Sequence, residues 1–153
     1  MFPLIVLLSI QVFGIQLGAE FNAPPCPANP TLTTTVCIEP VDKSGWSAVV
    51  FPLDYSPAIV ANNKLSVFVV DGKIEAVDFQ TYGTRTQSRD LATLKAWFGE
   101  PESTTYRQNL GESFETIDAV WNKPDVKIWF RGNLGGKNGI VRIHTAKGQK
   151  PKS

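Results

Sequence analysis

The sequence predicts an α+β domain: a single antiparallel β-sheet of about six to seven strands, built from hairpins and a meander, with one helix packed on a face. Three observations point there. From residue 31 to residue 145, short runs rich in Val, Ile, Phe and Thr alternate with turns bearing Gly, Pro, Asn and Asp, the spacing of strands and their connections. The connections are short, and short connections join antiparallel neighbours. A single segment, residues 89–98, repeats its apolar side chains at helical spacing.

The chain of 153 residues opens on an apolar run, residues 4–15, interrupted by Ser9, Gln11 and Gly14. Such a run is too short to span a bilayer, which takes about 20 residues, but it suits the core of a signal peptide. No periodic polar face marks it as an amphipathic strand or helix. The small residues Gly18 and Ala19 follow, so cleavage is expected after Ala19. This divides the chain into a signal peptide (1–19), a Pro-rich extended arm (20–30), one α+β domain (31–146) and a basic, disordered tail (147–153). Residues 22–30 hold Pro24, Pro25, Pro27 and Pro30, which exclude a helix or a central strand. The two cysteines, Cys26 and Cys37, allow a single pairing; in an exported chain they are expected to form one disulfide that pins the arm.

Residues 31–38 are β-branched and read as the first strand, residues 45–53 as the second, and 54–63 as a loop or a short helical turn. Residues 64–70 and 73–82 form a hairpin about Asp71-Gly72, a pair that tolerates the positive backbone angles of a two-residue turn. In the helix, Ser88 or Asp90 can cap the start, Leu91, Leu94 and Phe98 form the apolar stripe, and Gly99 with Pro101 ends it. Strands follow at 104–108, 114–121, 126–131 and 139–145. Trp46, Trp97 and Trp121 are expected in the core. The segment 132–139 is rich in glycine but lacks the phosphate-loop spacing and opens no helix, so it reads as a hairpin loop.

Charge is distributed unevenly. Residues 126–153 carry seven basic and no acidic side chains, whereas the rest of the chain carries eight basic against fourteen acidic. Alternation in 126–131 sets Val126, Ile128 and Phe130 on one face, and Lys127, Trp129 and Arg131 on the other. In the last strand Arg142 and His144 match the basic face. If these strands pair, Lys127, Trp129, Arg131, Arg142 and His144 share one surface. An indole flanked by cations can stack a base or a sugar, and guanidinium groups grip phosphate, sulfate or carboxylate.

The functional expectation is a small secreted protein, extracellular or periplasmic, of a binding or effector type without catalytic activity. It would engage an anionic polymer, a glycan or a protein partner, with no cofactor, no metal and no membrane span in the mature chain. A second reading is a small secreted hydrolase of nucleic acid or glycan, with His144, the one histidine, and a carboxylate as its acid/base pair. The carboxylates Asp54, Glu75, Asp78 and Asp118 are scattered, and Glu75 and Asp78 are expected on the solvent side of their strand. A third reading is an envelope assembly protein that uses a sheet edge. The helix end Trp97-Phe98-Gly99-Glu100-Pro101, followed by aromatic strands, is similar to a pattern in bacterial outer-membrane assembly lipoproteins. The strand order and the lack of a lipid-anchor cysteine depart from those modules, so no residue or function is carried across.

Overall fold

Ten strands and one α-helix succeed one another among residues 10–108, 111 and 114–149, the part of the chain described by the computed structural model. Residues 1–9, 109, 110, 112, 113 and 150–153 lie outside it, among them the start of the expected signal peptide and the end of the expected tail. The strands are β1 (Gln11–Val12), β2 (Ile15–Gln16), β3 (Cys37–Ile38), β4 (Trp46–Val50), β5 (Lys64–Val70) and β6 (Lys73–Thr81). Then come α1 (Gln87–Phe98), β7 (Ser103–Gln108), β8 (Glu115–Asn122), β9 (Lys127–Arg131) and β10 (Gly139–His144).

The α+β class holds, but the strand count is eight in one sheet, with β1 and β2 forming a separate two-stranded hairpin. The order β3-β4-β5-β6-β10-β9-β8-β7 is antiparallel throughout. It comprises two four-stranded meanders. The chain leaves β6, passes through α1 to the far edge at β7, and returns strand by strand until β10 docks on β6. The returning meander buries both margins of β10, between β6 and β9, which places the basic strand pair near the sheet centre.

Local chemistry explains most element limits. Asp71 and Gly72 adopt φ of 51° and 77°, the left-handed pair of a tight hairpin. Helix α1 closes on Gly99, whose φ of 85° a side chain would resist, and the Gly99 amide donates to the Lys95 carbonyl. Its start departs from expectation: Thr86 takes the N-cap position, and its hydroxyl bonds Asp90 Oδ2 at 2.7 Å instead of capping a backbone amide. The first expected strand is mostly absent. Asn29 Oδ1 accepts from the Thr31 amide and hydroxyl and holds a single 3-10 turn at Pro30–Leu32, so β-branched propensity yields to local capping until Cys37. The disulfide Cys26–Cys37 forms, and the arm lies beside β3 through hydrogen bonds from Cys26 N to Ile38 O and from Ile38 N to Pro24 O.

One sheet face is the core. Val49, Leu65, Val67, Val77, Phe79, Val141, Ile143, Ile128, Phe130, Ala119 and Trp121 line it, and Leu91, Leu94 and Phe98 of α1 close over it. Trp121 is the largest fully buried side chain; its indole N–H donates to the Gly99 carbonyl at 2.8 Å, tying the helix end to β8. Gln87, at the helix start, substitutes for a missing strand neighbour: its amide donates to Glu115 O and accepts from Ile117 N. That bridge needs Gly132, because a Cβ there would collide with the Gln87 side chain. Two tryptophans depart from the expected core. Trp97 is 43% exposed, one helical step off the buried stripe. Trp46 is half-buried and stacks on Phe68, its partner across β4 and β5, on the opposite sheet face.

Residues 10–19 complete the core. Phe13 and Gly14 turn at φ 54° and 80°, and Val12, Ile15 and Leu17 are buried. Phe13 sets its ring edge-to-face on Phe51, Phe79 and Trp97, at centroid distances of 5.8, 5.4 and 5.4 Å. The hairpin is amphipathic, with Gln11 and Gln16 alternating with buried neighbours. Three residues on either side of a turn are too few for that period to stand out within a longer apolar run. Burying each of Val12, Ile15 and Leu17 contributes about 1.5–3 kcal/mol.

Candidate functional site

The opposite sheet face carries the residues singled out for binding. In the β9–β10 pair, Arg142 lies opposite Trp129 and His144 opposite Lys127, while Arg131 faces Ile140. All five expected residues therefore project from one face. The alternation that puts them there also buries Ile128, Phe130, Val141 and Ile143 behind them.

The centre of the group is a cation–aromatic platform. The Arg131 guanidinium carbon lies 5.1 Å from the Trp129 ring centroid, and that of Arg142 5.9 Å. Contacts of this kind are worth about 0.5–1 kcal/mol at exposed sites and more when shielded. Each guanidinium is held by a carboxylate. Arg131 Nε donates to Asp118 Oδ1 at 2.8 Å, and Arg142 Nε donates to Asp78 Oδ2 at 3.1 Å. Asp118 is shared: its second oxygen accepts from Arg107 Nη2 at 2.9 Å. Both arginines thus spend Nε on the protein, and among the described residues their terminal amines make no hydrogen bond within the chain. Those amines can donate to a ligand acceptor beside the indole.

The face is less basic than the strand pair alone implies. Its row runs Asp78, Arg142, Trp129, then Arg131, Asp118 and Arg107 across β6, β10, β9, β8 and β7. Arg107 escaped the sequence reading; Asp78 and Asp118 were named there as scattered carboxylates, Asp78 on the solvent side of its strand, but neither was placed beside the basic pair. The apolar neighbours Val77 and Phe79, and Ile117 and Ala119, already assign both aspartates to the outer face by alternation. What was missing was the sheet order, which sets β6 and β8 on either side of the basic pair. Glu75 corrects a further expectation. It differs in parity from Asp78, is 5% exposed on the core side, and accepts a hydrogen bond from the Thr145 hydroxyl.

Lys127 and His144 sit at the end of the platform, where they also line a cleft of about 550 Å³ with Glu75, Lys123, Lys147 and Leu17. Lys127 Nζ donates to Asn122 Oδ1 at 3.0 Å. His144 Nδ1 lies 3.1 Å from the carbonyl of Thr145. Among the described residues the imidazole makes no ion pair with a carboxylate, and no three His, Cys, Asp or Glu side chains gather as a metal set. Nor is any described helix long and apolar enough to cross a membrane.

Burial pushes the Asp78 carboxyl above its ordinary 3.8, and the nearby charges of Arg142 and His144 offset only part of that rise. A raised carboxyl binds its proton more tightly folded than unfolded. Its ionisation therefore costs stability as pH rises through the folded value, and the cost is absent below the unfolded one. The stability difference between wild type and Asp78→Asn, from urea unfolding at a series of pH values, should shift against wild type as pH rises from 3.8 through this window. A difference independent of pH would show that Asp78 titrates normally.

No family model matches the chain, and no curated protein or solved structure matches it at a significant level. The class defined by fold and site is an α+β protein with a disulfide-pinned arm and a cation–aromatic platform on the open face of its sheet.

Proposed function

We propose that this protein is a secreted binding protein that engages an anionic glycan through the Trp129 platform. The observation that carries the reading is the pair of guanidinium groups over one indole, each anchored at Nε by a carboxylate, with terminal NH2 groups that make no hydrogen bond among the described residues. A sugar ring can stack on the indole while a sulfate or carboxylate on the same ring, or the next, accepts from Arg131 and Arg142. The two aspartates favour such a ligand over a dense polyphosphate. Four permanent cations on the face, Arg107, Lys127, Arg131 and Arg142, are interleaved with Asp78 and Asp118, which would repel closely spaced phosphates. Lys127 and His144 extend the surface toward the cleft, where Lys123 and Lys147 offer further contacts. The leader and the disulfide support export to an oxidising compartment, with the mature chain beginning at Glu20.

The test compares intact protein, a chain truncated after Ala146, and Trp129→Ala, binding a sulfated glycan and single-stranded DNA at matched salt. Trp129→Ala should weaken glycan binding by about 1–3 kcal/mol at unchanged thermal stability, if a stacked sugar contributes as a stacked base does. Glycan should be preferred to DNA, and binding should fade as salt screens the exposed charges. Binding that vanishes on truncation alone would make the tail a general electrostatic tether and end the platform reading.

A further inference from the structure

The outer sheet face does not end at the platform. Beyond β10, on the side away from Trp129, it runs into an open cleft of about 940 Å³. The cleft lies between the segment flanking the disulfide, at Pro30, Thr31 and Glu39, and the ends of β4, β5 and β6. Strand pairing makes it continuous with the platform. Ser66 pairs with Asp78, which pairs with Arg142, and Gln80 pairs with Ile140, which pairs with Arg131. Ser66, Asp78, Gln80 and Ile140 all line the cleft, so its sheet wall is the face that carries Trp129. Asp78 belongs to both sites. Its Oδ2 is taken by Arg142 Nε, and its Oδ1 makes no hydrogen bond among the described residues.

The chemistry changes across that boundary. The platform presents two guanidinium groups, whereas the charged side chains of the cleft are Asp78, Glu39 and Lys64, two carboxylates against one ammonium. Its remaining polar wall is largely neutral amide. Asn62 Nδ2 donates to Gln80 Oε1 at 3.1 Å, which leaves Asn62 Oδ1 as an acceptor and Gln80 Nε2 as a donor with no partner among the described residues. Both side chains are exposed. The backbone fixes Asn62, since it and Asn63 adopt φ of 65° and 56°, a left-handed pair that asparagine tolerates. An acceptor beside a donor matches the neighbouring hydroxyls, or the acetamido group, of an uncharged sugar.

We propose that this cleft receives the uncharged sugar that follows the acidic one on Trp129, so that the ligand is a glycan alternating acidic and neutral residues rather than one charged at every residue. The inference rests on the platform reading above. Strand β6 lies two strands from β9, about 10 Å at ordinary strand spacing, which a short oligosaccharide spans. A carboxylate or sulfate brought over the cleft would meet Asp78 and Glu39 and be repelled. A hydroxyl there can donate to Asp78 Oδ1 and share hydrogen bonds with the Asn62–Gln80 pair.

The experiment titrates two tetrasaccharides into the full chain at one salt concentration. One alternates a uronic acid with an N-acetylhexosamine; in the other every sugar is a uronic acid. Wild type should bind the alternating probe about tenfold tighter or more, although that probe carries half the charge. Gln80→Ala and Asn62→Gly each remove one amide, and glycine keeps the positive φ that alanine would resist. Each should weaken the alternating probe by about two- to tenfold, the contribution of one hydrogen bond, and leave the all-acidic probe unchanged. Trp129→Ala should weaken both. Equal or tighter binding of the all-acidic probe overturns the cleft inference and leaves the platform standing. A preference that survives both amide variants also overturns it, as does a wild type whose Asn62 and Gln80 side-chain amide NMR signals stay unmoved by the alternating probe. That last measurement needs no variant to fold. If neither probe binds wild type, the platform reading fails and the cleft inference falls with it.

Discussion

Replacing Trp121 with alanine should destabilise the protein by about 3–5 kcal/mol, the range found when large aromatic side chains are removed from packed cores. The indole is 2% exposed, packs at 6.2 Å on the Phe98 ring, and donates its N–H to the Gly99 carbonyl. Alanine leaves a cavity under α1 and deprives the Gly99 carbonyl of its donor, so two penalties fall at one position. Since domains of this size are stable by only about 5–15 kcal/mol, the urea midpoint should drop by a large fraction of its value. Trp121→Phe separates the two terms, because it keeps most of the volume and loses the hydrogen bond. It should cost less than half as much. A Trp121→Ala variant within about 1 kcal/mol of wild type would mean that α1 is not held to β8 as described.

The second large effect is expected at Asp118. Its carboxylate, 11% exposed, receives Arg131 Nε and Arg107 Nη2 and so fixes one of the two guanidinium groups over Trp129. Asp118→Ala should cost about 2 kcal/mol, since charge-assisted hydrogen bonds contribute roughly 1.5–3 kcal/mol where they are shielded. Most of the loss belongs to Arg131, which is 30% exposed; Arg107, at 54%, is screened by solvent. Arg107→Ala alone should therefore change stability by less than about 1 kcal/mol. The two variants also differ in binding. Freed from Asp118, Arg131 loses its fixed position beside the indole, so Asp118→Ala should weaken glycan binding even though it makes the face more positive. If binding tightened instead, net charge rather than a positioned guanidinium would govern the surface.

The platform was partly legible before any coordinates. Residues 126–131 and 139–145 alternate strictly enough that the shared face of Lys127, Trp129, Arg131, Arg142 and His144 follows from strand period and a hairpin loop. Its counter-charges were not legible. Asp78 is distant in sequence from Arg142, and no local pattern brings them to 3.1 Å; the antiparallel β6–β10 pairing does. The same limit explains Trp97, where a helical stripe tells which residues point inward on average but not which flank a neighbouring hairpin reaches.

What the sequence determined by itself is short-range. The Asp71-Gly72 turn, the Gly99 helix end, the burial alternation of β9 and β10 and the pairing of two lone cysteines each depend on the chemistry of a few neighbouring residues or on having no competitor. Tertiary structure alone decided that β10 inserts between β6 and β9, that Asp78 and Asp118 bracket the platform, that Gln87 completes the β8 ladder and that residues 10–19 lie on the core. The reason is the same in each case. A turn or a strand face is set by local backbone preference and side-chain period, whereas the neighbour a strand or carboxylate finds depends on which distant apolar surfaces must be covered together. That choice is made by the whole chain at once.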